Sequence, residues 1–335
     1  MADLNRQILL AARPKGLPAE TDFTLVEREA PTPGEGEFLV RTQFVSVDPY
    51  LRGLIAEYGS YAKPVGIGEI MPAGAVGSIV QSRHPEYRDG DAVLGHWGWQ
   101  DYAVSNGEGI ERVDTALAPI STALGVLGMP GLTAYFGMLE IGQPKAGESV
   151  FVSGAAGAVG SLAGQIARIK GCRVAGSAGS PEKVEYVRRE LGFDAAFNYK
   201  GEADLTARLR EACPSGIDVY FDNVGGPLTD AVFTLINERA RIVVSGQIEQ
   251  YNATRPPRGP RLLWHLIIKR ARAEGFLVYQ FQDRFAEART QIAQWLMEGK
   301  VTYRETITDG LENTPKAFIG LFQGQNIGKQ LVRVS

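Results

Sequence analysis

The spacing of apolar residues divides this chain of 335 residues into three stretches. In residues 1 to about 120, short apolar runs alternate with polar positions and are broken by glycine and proline, which is typical of β-strands joined by turns. The clearest runs are 37–42, 75–80 and 91–94. This first stretch predicts a barrel-like module built of β-strands.

From residue 121 to residue 304, apolar runs alternate with segments of helical spacing. This alternation is typical of parallel strands joined by crossover helices. Six strands are predicted, at 150–153, 174–177, 195–199, 217–222, 241–245 and 274–278. We expect them to form a doubly wound parallel sheet, which places the chain in the α/β class.

The residues after about 300 again contain short apolar runs typical of β-strands. Residues 301–308 and 329–334 predict strands, and residues 315–322 predict a helix between them. We expect this tail to rejoin the first stretch. The predicted domains are therefore 1–120 plus 305–335, and 121–304.

One segment carries specific chemical information: Phe151-Val-Ser-Gly-Ala-Ala-Gly-Ala-Val-Gly160. A predicted strand leads into a turn of small residues and then into an amphipathic helix. Gly157 and Gly160 match the last two glycines of a G-x-G-x-x-G fingerprint, and Ala155 stands where the first glycine usually falls. Val159 begins the apolar face of the helix, whose first N–H groups can point at an anion. The segment predicts a site for a dinucleotide pyrophosphate, against the alternative of an ordinary tight turn.

The residues after the second predicted strand favour one dinucleotide over the other. NAD sites place a carboxylate there to bind the ribose 2′-hydroxyl. This chain has Ser177 and Ser180 there, followed by Lys183. A lysine suits the 2′-phosphate of NADPH, with the serines as hydroxyl donors. Lys183 can equally be a solvated residue in a first helical turn, next to Glu182, but NADPH is the predicted cofactor.

Composition and charge restrict the partners. Hydrophobic residues make up 44% of the chain and the formal net charge is −3, so we expect neither nucleic acid nor a membrane as a partner. No apolar run reaches the roughly 18 residues that a membrane span requires. Two cysteines, and an amino terminus unlike a signal peptide, predict a cytoplasmic location. A small molecule is the expected partner.

Six segments along the chain carry a resemblance to a known family. They are Val47-Asp-Pro-Tyr-Leu-Arg52, Met129-Pro-Gly-Leu-Thr-Ala-Tyr135, Val152-Ser-Gly-Ala-Ala-Gly-Ala-Val-Gly160, Phe197-Asn-Tyr-Lys200, Tyr220-Phe-Asp-Asn-Val-Gly-Gly226 and Gly324-Gln-Asn-Ile-Gly-Lys-Gln330. In them the chain resembles zinc-free medium-chain dehydrogenases/reductases, in the branch of leukotriene B4 12-hydroxydehydrogenase (prostaglandin reductase), alkenal double-bond reductases and curcumin reductase. The resemblance implies a Rossmann domain inserted in a GroES-like, β-rich substrate domain, with the active site in the cleft between them. It also implies NADPH-dependent reduction of a carbon–carbon double bond conjugated to a carbonyl group.

The resemblance also implies roles for individual residues. Lys183 and Tyr199 correspond to residues at the adenosine 2′-phosphate. Asn223 and Asn326 correspond to residues that contact the cofactor, although an asparagine before two glycines is also ordinary turn chemistry. The predicted cofactor-binding residues are Thr133, Ala155, Gly157, Val159, Gly160, Ser177, Lys183, Tyr199, Asn223, Tyr251 and Asn326.

Two tyrosines are the catalytic candidates. Tyr251 corresponds to a tyrosine beside the nicotinamide ribose, and Tyr50 lies in the loop expected to line the substrate cleft, unless it covers the core. Hydride addition to an enone or enal leaves an enolate that needs a hydrogen-bond donor and a proton. A tyrosine or solvent can supply that proton, so we rank positioning above acid catalysis. The aromatic residues expected to wall the pocket, or else to pack in the core, are Tyr61, Trp97, Trp99 and Tyr102.

No metal is expected at the site. Zinc sites need Cys, His or carboxylate ligands at characteristic spacings. The cysteines and histidines of the chain lack such spacing; they are Cys172, Cys213, His84, His96 and His265. Metal-assisted alcohol oxidation is therefore not expected.

Two other functions fit the same sequence features. A zinc-free quinone reductase would use the same fold and NADPH, and a protein that binds NADPH without turnover would keep the same phosphate site.

The resemblance also suggests a homodimer. Segment Gly275-Phe-Leu-Val-Tyr279, at the end of the sheet, is its candidate pairing edge, although the segment can equally be covered within the monomer.

Overall fold

The structure is a computed structural model that describes residues 3–57 and 62–335. The chain divides into two compact units. Unit 1 consists of residues 1–125, 305–326 and 330–335, and unit 2 consists of residues 126–304 and 327–329.

The strands follow the chain in this order: β1 (Leu4–Leu10), β2 (Phe23–Glu29), β3 (Phe38–Ser46), β4 (Ala75–Ser82), β5 (Ala92–Gly95), β6 (Tyr102–Ser105), β7 (Glu111–Arg112), β8 (Ser149–Val152), β9 (Arg173–Ala178), β10 (Ala195–Asn198), β11 (Ile217–Asp222), β12 (Ile236–Val244), β13 (Arg272–Gly275), β14 (Glu305–Asp309) and β15 (Lys329–Arg333). The α-helices are α1 (Leu51–Leu54), α2 (Met129–Phe136), α3 (Ala158–Ile169), α4 (Pro181–Arg189), α5 (Leu205–Ala212), α6 (Gly226–Phe233), α7 (Leu263–Lys269), α8 (Phe285–Met297) and α9 (Thr314–Gln323). Shorter 3₁₀ segments and one π-helical turn, Gly137–Gly142, are the other helical elements in residues 3–57 and 62–335.

Unit 1 is built mainly of antiparallel strands, so the β-rich first stretch expected from the sequence is confirmed. A seven-stranded sheet has the order β14-β15-β3-β4-β5-β7, with β6 also paired to β3. The tail strand β15 pairs with β3, with Leu331 opposite Ser46. The core is closed by fully buried Trp99 and by Phe318 of α9, whose ring centroids lie 5.9 Å apart.

Unit 2 contains a six-stranded parallel sheet in the order β10-β9-β8-β11-β12-β13. The predicted doubly wound sheet is therefore confirmed. Strand β8 is buried along its whole length, with Phe151 opposite Ala175 of β9 and Tyr220 of β11. The chain leaves β8 toward β9 on one side and returns to β11 on the other. This reversal of strand order creates a crevice at the carboxyl ends of β8 and β11.

The sixth strand lies further toward the amino terminus than predicted. Strand β13 ends at Gly275, and residues 278–284 form a 3₁₀ helix. Phe276 turns inward instead of pairing, because its ring packs against Phe281 and over Gly137, where an added Cβ atom would lie 2.7 Å from the ring. The prediction that residues 276–279 are part of the strand is therefore wrong; the edge strand is Arg272–Gly275.

The first strand of the tail also begins later than predicted. Residues 301–308 were expected to be extended, but β14 starts at Glu305. The amide of Gln165 on α3 binds both sides of the Thr302 peptide, accepting from its N–H at 2.8 Å and donating to its carbonyl oxygen at 2.9 Å. A side chain therefore takes the hydrogen bonds that a neighbouring strand would take.

Candidate functional site

The turn between β8 and α3 has glycine where the backbone is most crowded. Gly154 has a φ of +60°, and its carbonyl oxygen accepts a hydrogen bond from the N–H of Gly157 at 3.0 Å. A Cβ atom placed on Gly160 would lie 2.4 Å from that same oxygen. Helix α3 therefore starts directly against the turn, and the N–H groups of its first turn lie at the carboxyl edge of the sheet.

Ala155 and Ser177 lie beneath this turn. The Ala155 N–H donates to the carbonyl oxygen of Ser177 at 2.9 Å, and both residues are fully buried. The Ser177 hydroxyl has no hydrogen-bond partner among the described residues. These two residues therefore fix the turn against β9 through their backbone. Val159, one turn above, is half-buried and packs on the core of unit 2.

A residue that sequence reasoning did not select, Gly328, also meets the turn. Its N–H donates to the carbonyl oxygen of Ala156 at 2.8 Å, and it forms a parallel bridge with Gly157. Its φ is +68°, and an added Cβ atom would lie 2.0 Å from the carbonyl oxygen of Arg304. Only glycine fits this position, so the segment 327–329 closes one side of the turn.

Two lysines lie close together where β9 and β10 end. Lys183 is in the first turn of α4, and its N–H donates to the Ser180 hydroxyl at 3.3 Å. Burial lowers the pKa of Lys183 and the positive charge of Lys200 lowers it further, whereas Glu182 raises it. The Lys200 side chain crosses Gly179, with Cε 3.1 Å from the position of an added Cβ atom. The paired cations make this edge suitable for a dianion.

Tyr199 directly follows β10 and precedes Lys200 in the chain. Its N–H donates to the carbonyl oxygen of Ala178 at 3.1 Å, which fixes it at the end of β9. Burial raises the pKa of its phenol, and the charge of Glu249 raises it further. The phenol therefore stays protonated and can donate a hydrogen bond. Sequence reasoning selected Tyr199 and missed Lys200, although the lysine is the next residue of the same segment.

A buried carboxylate organises the other half of the edge. Asp222 ends β11, is fully buried, and accepts hydrogen bonds on both oxygens. The donors among the described residues are the hydroxyls of Ser153, Tyr220 and Thr229 at 3.0, 2.7 and 2.8 Å, the N–H groups of Val224 and Gly225 at 3.0 and 2.9 Å, and Nε2 of Gln247 at 2.7 Å. These donors lie just after β8, in β11, in and just before α6, and in the segment after β12. Asp222 was not selected from the sequence, because nothing local marks a carboxylate that collects donors from four elements.

Asn223 and Tyr251 lie next to this network. The Asn223 side chain donates to the Ser153 carbonyl oxygen at 2.7 Å, and its N–H donates to the Ser153 hydroxyl at 2.8 Å. Asn223 therefore joins the ends of β8 and β11 rather than serving only its own turn. The Tyr251 hydroxyl oxygen accepts a hydrogen bond from the Gln247 N–H at 3.3 Å and lies 3.5 Å from where a Cβ atom on Gly246 would be.

Thr133 lies on α2, which packs against α3. Its hydroxyl donates to the carbonyl oxygen of Met129, one turn earlier, at 2.7 Å. The side chain is half-buried.

The other predicted site residues belong to unit 1. Tyr50 precedes the short helix α1 and is partly buried against the apolar cluster that contains Leu51. Asn326 is half-buried and follows α9 by three residues. Trp99 is entirely in the core, where its Nε1 donates to the carbonyl oxygen of Ser46 at 3.1 Å, so the packing alternative holds for it.

The remaining aromatic candidates differ in their surroundings. Trp97 donates from Nε1 to the Thr42 hydroxyl at 2.9 Å. Tyr102 is half-buried, and burial raises the pKa of its phenol. Tyr61 lies outside the described residues.

The described residues, 3–57 and 62–335, contain no group of three or more His, Cys, Asp or Glu side chains placed to hold a metal ion. Cys172 and Cys213 are buried, and burial raises the pKa of each thiol to about 11. Across the same residues, no helix combines the length and the apolar character that crossing a membrane requires.

The parallel sheet with its glycine turn, and a second unit of antiparallel strands, define a class of protein, the two-unit dinucleotide-binding oxidoreductases. Comparison with family models agrees. A model described as the N-terminal domain of oxidoreductase matches residues 6–113, and one described as zinc-binding dehydrogenase matches residues 158–294.

Individual relatives are similar over nearly the whole chain. NADPH-dependent curcumin reductase of Escherichia coli is 47% identical, covering 99% of this chain and 97% of the relative. The NADP⁺-dependent 2-alkenal reductase of Nicotiana tabacum is 41% identical, covering 99% and 98%. The crystal structure of CurA from Vibrio vulnificus in complex with NADPH has a TM-score of 0.94 and 47% identity, covering 98% of this chain and 99% of that chain. This chain therefore belongs to the curcumin reductase-like family of medium-chain dehydrogenases/reductases, and the predicted family is confirmed.

Proposed function

We propose that this protein binds NADPH at the carboxyl edge of the parallel sheet and reduces the carbon–carbon double bond of α,β-unsaturated ketones and aldehydes. The observation that carries the proposal is the pair Lys183 and Lys200 beside a glycine turn, since a dinucleotide with a 2′-phosphate needs both features. The relatives named for curcumin and 2-alkenal reduction support the substrate class.

The two parts of the chain have different roles in this proposal. Residues 121–304 bind the cofactor, and residues 1–120 with 305–335 bind the substrate. The division of the chain into two compact units after residues 125 and 304 supports this assignment. Within the cofactor domain, Val159 and Gly160 present backbone N–H groups to the pyrophosphate, and Gly157, which lacks a side chain, lets the pyrophosphate approach the backbone. Ala155 and Ser177 hold the turn in place.

The adenosine end is held by charge. Lys183 and Lys200 neutralise the 2′-phosphate, and Tyr199 donates a hydrogen bond to it. A second cation is needed because a phosphate monoester carries up to two negative charges near neutral pH. Partial burial of Lys183 strengthens its ion pair, since less water screens it, whereas Lys200 is exposed.

The nicotinamide end is served by Thr133, Asn223, Tyr251 and Asn326. NADPH, when bound, supplies a hydride. The protein has to orient the substrate, exclude water, and stabilise the negative charge that moves onto the carbonyl oxygen. Tyr251 and Tyr50 are the candidate donors to that oxygen, and either a tyrosine or solvent protonates the α-carbon. Hydroxyl and N–H donors suffice for this stabilisation, so the proposed reaction requires no metal.

The protein acts as a homodimer in this proposal, with a second copy on the outer side of β13. Strand β13 is the last strand of the sheet and is exposed along its length. Helix α7, beside it, exposes four large apolar side chains: Leu263 at 74%, Trp264 at 62%, Ile267 at 68% and Ile268 at 50%. Such an apolar surface beside an open sheet edge is typical of a subunit interface.

We place the protein in the cytoplasm, where its two cysteines would stay reduced.

The test is NADPH oxidation by chelator-treated protein with a medium-chain 2-enal, an aryl enone, the matching saturated carbonyls and a quinone. We expect saturated aldehyde or ketone from the first two substrates, identified by mass and NMR, and no oxidation with the saturated carbonyls. Hydroquinone as the only product would identify a quinone reductase, and allylic alcohol would identify a carbonyl reductase. Tight binding without turnover would identify a non-catalytic NADPH-binding protein.

A further inference from the structure

A single residue, Gln247, links the buried carboxylate of Asp222 to Tyr251. Its side-chain Nε2 donates to Asp222 Oδ2 at 2.7 Å, and its Oε1 accepts from Nε2 of Gln250 at 3.1 Å. Its backbone N–H donates to the Tyr251 hydroxyl oxygen at 3.3 Å. The side-chain amide is therefore held at both ends, and the peptide group of the same residue contacts the phenol.

The space for this amide depends on Gly225. Gly225 has a φ of +78°, and an added Cβ atom would lie 2.3 Å from Gln247 Oε1. The Gly225 N–H donates to Asp222 at 2.9 Å. The start of α6 and the segment 246–251 are therefore assembled around the same carboxylate, and the position of Gln247 is defined from both sides.

The hydrogen bond from the Gln247 N–H determines which further hydrogen bonds the Tyr251 phenol can form. Its oxygen accepts a hydrogen bond, and none of the described residues accepts its proton. A hydroxyl that accepts a hydrogen bond becomes a stronger donor, because the bonds polarise one another. Tyr251 is half-buried, so its proton can reach a bound ligand.

We propose that Gln247 is a positioning residue, held by Asp222 and Gln250, that directs the phenolic proton of Tyr251 toward the bound ligand. This inference rests on the proposed function, since the ligand is the nicotinamide end of the cofactor together with the substrate carbonyl oxygen. Gln247 acts through the orientation of Tyr251.

The experiment is a double-mutant cycle of Q247M and Y251F, with Q294M as the matched control. Gln294 is an exposed glutamine of α8 that donates to Glu298 at 2.8 Å. We expect Q247M to lower kcat with a 2-enal about tenfold, and less than about twofold when Y251F is already present, because contacting residues are energetically coupled. Q294M should leave kcat unchanged.

A second measurement does not depend on turnover. In protein carrying ¹³Cζ-labelled tyrosine, the Tyr251 resonance is assigned by its loss in Y251F. We expect that resonance to shift in Q247M, with and without NADPH, and to stay in place in Q294M. If Q247M does not fold, Q250M loosens the other end of the same amide and should shift the resonance in the same way.

The outcomes separate the two proposals. Equal losses from Q247M in both backgrounds, or an unmoved Tyr251 resonance in the variants, would overturn the positioning role. Absence of turnover in the wild-type protein, together with the expected shift, would overturn the proposed function and leave the positioning role standing.

Discussion

Lys200 is the residue whose removal best separates the two nicotinamide cofactors. K200A removes one of the two cations at the ends of β9 and β10, so we expect the Kd of NADPH to rise about ten- to a hundredfold, since one charged hydrogen bond contributes about 1.5–3 kcal/mol. The Kd of NADH should stay the same. Fluorescence titration measures both, and K170A, at an exposed lysine after α3, is the control. A parallel loss of NADH binding would show that Lys200 supports the fold instead.

The lowered pKa of Lys183 predicts a pH dependence. A base with a lowered pKa loses its charge at a lower pH than an ordinary lysine. As pH rises, the preference for NADPH over NADH should therefore fall earlier than expected for an unperturbed lysine. K183R, whose guanidinium stays charged, should keep the preference over the same range. Titrations of both cofactors at several alkaline pH values measure the ratio, and identical curves for K183R and wild type would contradict the assignment.

Site residues differ in how far the sequence reveals them. Lys183 was predicted from its charge after the second strand and from the family resemblance, and Tyr199 was predicted from the resemblance alone. Asp222, Gln247 and Gly328 were not, because their importance arises only when strand ends meet in three dimensions. A carboxylate buried among donors looks like any other aspartate in the sequence.

At the scale of the element, the turn between β8 and α3 predicts different effects for its two last glycines. A Cβ atom on Gly160 would lie 2.4 Å from the Gly154 carbonyl oxygen, whereas one on Gly157 would lie 3.3 Å from it. We expect G160A to destabilise the protein by about 1–3 kcal/mol, since overpacked positions force the backbone to move.

G157A should cost less stability but weaken NADPH binding, because the new methyl group stands where the backbone approaches the pyrophosphate. Urea unfolding and NADPH titration measure the two effects separately. Equal stability losses from both substitutions would contradict the geometry of the turn.

The elements themselves were predicted where their apolar spacing was regular. The helix after the turn and the central strands β8 and β11 were predicted because burial on both faces leaves continuous apolar runs. The exposed edge strand β13 has no such run, and its prediction overlaps it only at residues 274–275. Residues 276–279 have the apolar composition of a strand, but Phe276 and Val278 pack on the core of unit 2 while Leu277 and Tyr279 are exposed. Composition alone does not distinguish an apolar strand from an apolar 3₁₀ segment.

At the scale of the whole molecule, the exposed face of α7 predicts the oligomeric state. I267D places a charge at the centre of this face, and we expect it to convert a dimer into a monomer because burying an unpaired carboxylate in an interface is costly. Sedimentation velocity measures the mass. L117D, at an apolar residue of unit 1 that is 49% exposed, is the control and should remain a dimer. A monomeric wild-type protein would contradict the proposal.

The bridge between Gly157 and Gly328 has a consequence for the order of folding. The two residues are 171 positions apart (328 − 157), and the chain between them includes most of the parallel sheet and part of unit 1. Contacts of such long separation form late, because the intervening chain has to be ordered first. During refolding, the helices and the sheet should therefore form before the turn is closed. The capacity to hold the dinucleotide is then among the last properties that the refolding chain acquires.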